Sequence, residues 1–257
     1  MAKVAVSYWE ENGNPIKYET FSRIDEWAEI EILNPEVSHP ELGKNGYDLF
    51  HNAKRRKGAL QDHRRAQENG LTTLNSAEGA YTTIDRLSTL QRLEELGIDT
   101  PDWEYTWADD VTLGPPLVAK PRLELGEDRH DVMFYGQADY EDLPFQNGTL
   151  DYEDRRIVEE FVDPARHIKT YLIGDEVRAV ELSDPLHWYG AAIEPDPEME
   201  ETVRRIGEGF GFSILEADMV ERNGDRYTVD VNQTANLSGV EDAPELYEQA
   251  VRETLEN

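Results

Sequence analysis

A chain of 257 residues with a formal net charge of −30 and no cysteine is long enough for one large domain or two to three small lobes. It cannot build a disulfide framework, a thiol nucleophile or a zinc–thiolate site. The acidity makes nucleic acid and anionic membrane unsuitable partners. No apolar run reaches the ~18 residues of a membrane span. The apolar stretch in MAKVAVSYWEENG is too short for a signal peptide, so a soluble, cytoplasmic protein is expected.

The negative charge is distributed along the chain, and the basic residues are skewed, with 7 Lys against 18 Arg. Self-repulsion on that scale weakens a fold in dilute buffer. In molar salt the Debye length falls to ~3 Å and most of it is screened. This is the composition of a halophilic protein. Apolar periodicity runs almost throughout, against a disordered acidic chain. After Lys57 only Lys120 and Lys169 remain, which singles both out for a specific role.

In chain order, 3–8 (KVAVSY) reads as a strand, 18–26 as a short helix, 28–33 (AEIEIL) and 47–50 (YDLF) as strands. A helix over 58–70 is stopped by Gly70, and LTTLN at 71–75 is a fourth strand. Strand–helix alternation at this spacing predicts a small parallel α/β lobe. It contains the run Lys54-Arg55-Arg56-Lys57, with His51, His63, Arg64 and Arg65 nearby. Two readings stay open: a holder of anionic substrate or nucleotide phosphate, or a solvated loop paired with the acidic surface.

TTIDRLSTLQRLEELG follows as one helix, with Leu87, Leu90, Leu93 and Leu96 near the helical period, Thr82 with Asp85 as a capping pattern, and Gly97 as the stop. PPLVAKP is a short buried strand ending in Lys120, and Val132–Phe134 is its return. RIVEEFVDP at 156–164 is a further strand, and HIKTYLIGDEVRAVELS is a hairpin turning at Gly174-Asp175. PDPEMEETVRRIGEGFGF reads as a helix with Asp196 at the N-cap, Pro197 at N1, and Met199, Val203, Ile206 and Phe210 on one face. A last helix runs from Pro244 to Leu255.

Between these two helices lies SILEADMVERNGDRYTVDVNQTANLSG, a strand, a turn, a strand and a small-residue loop. Asp218, Asp230 and Asn232, spaced by 12 and then 2 residues, are oxygen donors suited to a hard cation such as Mg²⁺ or Mn²⁺. Strand alternation puts Arg226, Thr228, Asp230 and Asn232 on one face. A two-residue Asn223-Gly224 turn in a regular hairpin would set Asp218 opposite Val229, pointing away from Asp230. A shared cation needs Asp218 opposite Asp230 and Arg222 opposite Arg226. The expectation is therefore a three-residue loop at Asn223-Gly224-Asp225, or a bulge with the same effect.

Taken together, GLTTLNSAEGAYTTIDR, VAKP, EEFV, HIKTYLIG and the Asp/Asp/Asn hairpin resemble, in order, the ATP-grasp superfamily. Within it they resemble the RimK-type and glutathione-synthetase-like ligases. The resemblance implies an α/β (α+β) ATP-grasp architecture of three parts: an N-terminal lobe over 1–78, a central lobe over 79–158, and a C-terminal lobe with the metal site over 159–257. It implies ATP and Mg²⁺ (or Mn²⁺) as cofactors. By the same resemblance Lys120 contacts nucleotide phosphates, and Glu160, Phe161 and Val162 form the hinge against adenine. Arg86 stands where the family has lysine, and Lys169, in His167-Ile168-Lys169, where it has arginine in Asp-x-Arg. Arg86 and Lys169 are thereby the catalytic as well as nucleotide-binding cations, and Asp218, Asp230 and Asn232 the metal triad.

The implied activity is joining a carboxylate to an amine (or thiol) through an acyl phosphate, on small-molecule or peptide substrates. A small-molecule kinase of the inositol-phosphate-kinase branch and a catalytically degenerate ATP-binding protein remain alternatives. The turn after Lys120, PRLELGEDRHDV, has one glycine where the family has a Gly-rich phosphate cover. Its acids repel triphosphate unless they point outward, leaving Arg122, Arg129 and His130 to serve. DPLHWYGAAIEPD lacks the arginines expected to hold an acidic substrate.

Overall fold

The computed structural model describes residues 1–9, 13–125, 131–136, 145–146, 150–163, 166–183 and 190–256. The chain begins with β1 (Ala2–Ser7), α1 (Pro15–Asp25), β2 (Ala28–Leu33), β3 (Leu49–Asn52), α2 (Lys57–Glu68) and β4 (Thr72–Leu74). The four strands form one parallel sheet in the order β2-β1-β3-β4. α1 starts earlier than its apolar pattern suggests, because the Asn14 side chain accepts from Ile16 N at 2.9 Å and Pro15 follows it.

The helix expected from Thr82 to Gly97 begins later, at Arg86, and a separate short helix ends at Thr82. α3 (Ala77–Thr82) is capped by Ser76, and α4 (Arg86–Glu95) by Asp85, whose side chain accepts from Leu87 N at 3.2 Å. An N-cap residue sits outside helical backbone space, so the Asp85 cap interrupts the run. Leu90 and Leu93 are buried as the periodicity requires.

β5 (Trp103–Thr106), β6 (Leu117–Lys120), β7 (Met133–Tyr135), β8 (Phe145–Gln146) and β9 (Arg156–Glu160) form a central sheet in the order β5-β9-β6-β7-β8. β9 runs across position 158/159. The last sheet is antiparallel, in the order β12-β11-β10-β13-β14. It is built from β10 (Arg166–Ile173), β11 (Glu176–Leu182), β12 (Gly190–Ile193), β13 (Ile214–Arg222) and β14 (Asp225–Asn232), with α5 (Pro197–Phe210) and α6 (Ala243–Glu256).

This sheet is covered on both faces, and its alternation sorts the side chains. Ile168, Leu172, Ala217 and Met219 pack under α5 against Met199, Val203, Ile206 and Phe210. Tyr171, Ile173 and Ile214 face the other way and share a core with Val4, Val6, Leu49 and Tyr247. Each fully buried aliphatic contributes ~1.5–3 kcal/mol, so the N-terminal sheet, the C-terminal sheet and α6 are fastened into one body. Asn75 adds a polar clamp. At φ 66° it accepts from the amides of Ser213 and Ile214, both at 3.0 Å, and donates to Ile214 O at 2.7 Å and Gln233 O at 3.2 Å. Among the described residues no helix is long and apolar enough to cross a membrane.

Candidate active site

The hairpin of β13 and β14 satisfies the register condition by the second of the two expected routes, a bulge. Asn223 and Gly224, at φ 57° and 91°, make a two-residue turn, so Arg222 pairs with Asp225 and Glu221 with Arg226. Arg222 is thus not opposite Arg226. The register then shifts between Asp218 and Met219: Met219 pairs with Thr228, Asp218 with Asp230 and Glu216 with Asn232. Val229 is the extra residue of a bulge.

The bulge also corrects the expected shared face. Thr228 pairs with Met219, which packs under α5, and Arg226 reaches Asp196 Oδ2 at 2.8 Å at the start of that helix. Asp230 and Asn232 lie on the opposite face with Asp218 and Glu216. Alternation failed here because one residue was added to the strand.

A cleft of about 410 Å³ opens on that second face, lined by Arg86, Lys169, Asp218, Asp230 and Asn232. Five of the expected site residues therefore share one wall-to-wall space. Lys169, opposite Asp218 on β10, lies 2.7 Å from Asp218 Oδ1 and 2.7 Å from Glu216 Oε1. Although burial opposes it, these two carboxylates hold its ammonium protonated beyond the ordinary lysine value. Burial pushes Asp218 up to about 7, with Lys169 pulling the other way and Glu216 and Asp230 adding repulsion. For Asp230 burial also works upward, but Arg55, Lys120 and Arg86 prevail and hold its carboxyl below the usual range. Asp230 is the permanent anion of the pair.

Lys120 does not line the cleft itself. Its Nζ lies 2.5 Å from Glu159 Oε2 and 3.4 Å from Val229 O, the carbonyl of the bulge residue. The expected hinge residues lie toward the turn end of the hairpin, with Arg222 3.8 Å from Glu160. The amides of Glu160 and Phe161 donate to Asp102 O at 2.8 Å and Pro116 O at 2.9 Å. Both amides are thus engaged within the protein, which leaves buried Val162 as the amide of the expected hinge to test.

Several residues of the cleft were not singled out from the sequence. Glu216 was legible as the residue two before Asp218 on the same strand face. Glu124 was not. It belongs to the acid-rich turn after Lys120, yet it points inward, 6% exposed, pairing with Arg55 and, at 3.1 Å, with Arg86. Its amide is fixed on Ile84 O at 2.8 Å. Arg122 is paired with Asp85 at 2.5 Å. Arg129, His130 and most of DPLHWYG lie outside the described residues. The basic run enters the cleft through Lys54, Arg55 and Arg56.

Among the described residues no three His, Asp or Glu side chains gather as a metal-binding cluster. The donors are two opposed carboxylates and an amide, Asn232, whose Nδ2 donates to Asp230 Oδ2 at 2.7 Å and leaves its carbonyl oxygen as acceptor. This set fits a hard dication that takes one or two carboxylates and completes its shell with water and phosphate oxygens. Such an ion would also remove the mutual repulsion of Asp218 and Asp230.

The fold is shared with known structures. RimK domain protein ATP-grasp from Sphaerobacter thermophilus superposes with a TM-score of 0.74 at 15% identity, over 98% of this chain and 100% of that one. The chain has the ATP-grasp fold. Within that fold, the D-alanine–D-alanine ligase of Bacillus anthracis complexed with ATP gives a TM-score of 0.69 at 14% identity, over 100% of this chain and 96% of that one. N5-carboxyaminoimidazole ribonucleotide synthetase from Thermotoga maritima gives 0.72 at 16% identity, over 99% and 76%. In sequence, the chain is 25% identical over 193 residues to a probable alpha-L-glutamate ligase 1 of Shewanella denitrificans. That match spans 68% of this chain and 64% of that relative's own length. No family model matches the chain.

Proposed function

We propose that this protein is an ATP-dependent ligase that joins a carboxylate to an amine, with Mg²⁺ or Mn²⁺ held by Asp218, Asp230 and Asn232. The observation that carries the reading is the cleft in which Asp218 and Asp230 oppose each other across the bulged hairpin, facing Arg86 and the basic run. The likeness to ligases of the same fold supports it.

Phosphoryl transfer is catalysed chiefly by positioning and charge neutralisation. A carboxylate oxygen of the substrate attacks the γ-phosphorus of ATP, the bond to the β–γ bridging oxygen breaks, and ADP leaves. An amine then attacks the acyl carbon, the acyl C–O bond breaks, phosphate departs and the amine proton passes to solvent. A bound Mg²⁺ supplies charge neutralisation on the phosphate oxygens. Arg86 and Lys120 flank Asp230 and would hold the phosphate chain beside it. Lys169 orients Asp218 by bonding one of its oxygens, which makes it a positioning residue as well as a cation of the site. No side-chain nucleophile is needed, consistent with a chain that has no cysteine. The expected hinge, Glu160 to Val162, would border the adenine.

The test is a screen of amino acids and short peptides, in molar KCl with Mg²⁺, for ADP and phosphate release that depends on both a carboxylate and an amine. ADP formed with a phosphorylated product and no free phosphate would indicate a kinase instead. An ATP-induced rise in Tm without turnover under any substrate pair would leave only a nucleotide-binding protein.

A further inference from the structure

The parallel sheet changes direction at one place. From β1 the chain crosses to β2 on one side, and β3 and β4 lie on the other. In open parallel sheets the crevice outside the carboxyl ends of the strands at such a reversal is where ligands bind. Here it lies beyond Ser7 and Asn52, register partners at the ends of β1 and β3. Both are buried, at 0% and 1% exposure, and among the described residues neither Ser7 Oγ nor Asn52 Nδ2 has a hydrogen-bond partner. A buried polar group left unpaired costs ~1–3 kcal/mol, so two of them side by side at a switch point call for an explanation.

The chain beyond Asn52 supplies one. Lys54, Arg55 and Arg56 follow at once, and α2 begins at Lys57 with no side-chain cap and no acidic residue in its first turn. In a chain with 55 Asp and Glu, an acid-free helix start behind three cations is a concentration of positive potential. The same three cations line the cleft that holds Asp218 and Asp230. Both guanidinium groups are held in place: Arg55 pairs with buried Glu124, and Arg56 Nε lies 2.6 Å from Glu36. Lys17 bonds the carbonyl of Ala53 at 3.0 Å from beneath, and burial together with the charge of Lys54 lowers its ammonium to about 7.

We propose that the loop from Ala53 to Arg56, at the carboxyl ends of β1 and β3, binds a carboxylate or phosphate group of the substrate. The molecule ligated here then carries a second anionic group besides the carboxylate that reacts at the hairpin. Guanidinium forks match either oxyanion bidentately, and the lysine adds a point charge. As an anion site the assignment stands on its own; as a substrate site it rests on the ligase reading.

The experiment is calorimetric titration of the full chain, without nucleotide and at constant ionic strength, with inorganic phosphate and separately with glutarate. Saturable binding of either probe is expected, weakened roughly tenfold to a hundredfold in Lys54→Gln and in Ser7→Ala. Binding of phosphate alone identifies a phosphorylated substrate, and binding of glutarate alone a dicarboxylate. Ser7→Ala removes a single hydroxyl, and its Tm shows whether the fold is kept if the charge variant is compromised. No saturable binding of either probe, or wild-type affinity in both variants, overturns the proposal. ATP-dependent phosphate release by the wild type is read separately, so failure of the ligase reading is distinguishable from failure of the anion site.

Discussion

Asp218 stands directly across from Asp230, although the hairpin carrying them closes with a two-residue turn. The bulge at Val229 reconciles the two. It lets Thr228 and Arg226 serve the α5 face while Asp230 and Asn232 serve the cleft, and it presents the Val229 carbonyl to Lys120.

From that opposition, Asp230→Ala is expected to abolish the Mg²⁺ dependence of nucleotide binding, since the permanent anion of the pair is lost. Asp218→Asn, which mimics the protonated form that burial favours, should weaken that dependence while leaving Tm close to wild type. Calorimetric titration of ADP with and without Mg²⁺ checks both. An undiminished Mg²⁺ dependence in Asp230→Ala would remove the pair from the metal site.

Lys120→Met should have two consequences. Loss of a charge-assisted phosphate contact costs ~1.5–3 kcal/mol of nucleotide binding. Glu159, 4% exposed, is left as a buried unpaired carboxylate, at ~3 kcal/mol of folding stability. Adding Glu159→Gln should recover much of the stability and none of the affinity, as measured by denaturant unfolding and ADP titration. Recovery of both by the double variant would show that Lys120 acts only through the fold.

Asn75→Ala removes four hydrogen bonds that tie the end of β4 to β13 and β14, and places alanine at a positive φ of 66°. A loss of ~3–4 kcal/mol is expected from unsatisfied groups and backbone strain together. Urea unfolding measures it; a loss below ~1 kcal/mol would mean that water replaces the clamp.

His51 and His63 contribute to the acid response together with His167, which burial and the Lys169 charge lower to about 4. Burial depresses His51 and His63 to about 3 and about 4, with the Lys17 charge a further cause for His51. All three folded values lie below the ordinary histidine value. Their contribution is therefore fully present above pH ~6.5 and is lost as pH falls toward 4. His63 alone accounts for up to about 3 kcal/mol of that loss. Tm followed from pH 7 to 4 should fall less steeply in His63→Leu than in wild type, and parallel curves would contradict the assignment.

The sequence alone determined what local chemistry governs. The N-cap Asp196 with Pro197 and the apolar face from Met199 to Phe210 specify α5 completely, and five short motifs in order pointed to the ATP-grasp fold. Period-two alternation was enough to demand that Asp218 oppose Asp230. It was not enough to say how, because a bulge is chosen by what packs on the two faces of a hairpin, and those neighbours are remote in the chain. For the same reason the basic run at 54–56 stayed ambiguous until the fold carried it beside Asp230. Glu124 was legible only as an acid in an unsuitable loop. Whether it repels or binds is decided by Arg55 and Arg86, and their nearness is a property of the tertiary structure, since charge–charge interactions depend on distance in space rather than in sequence.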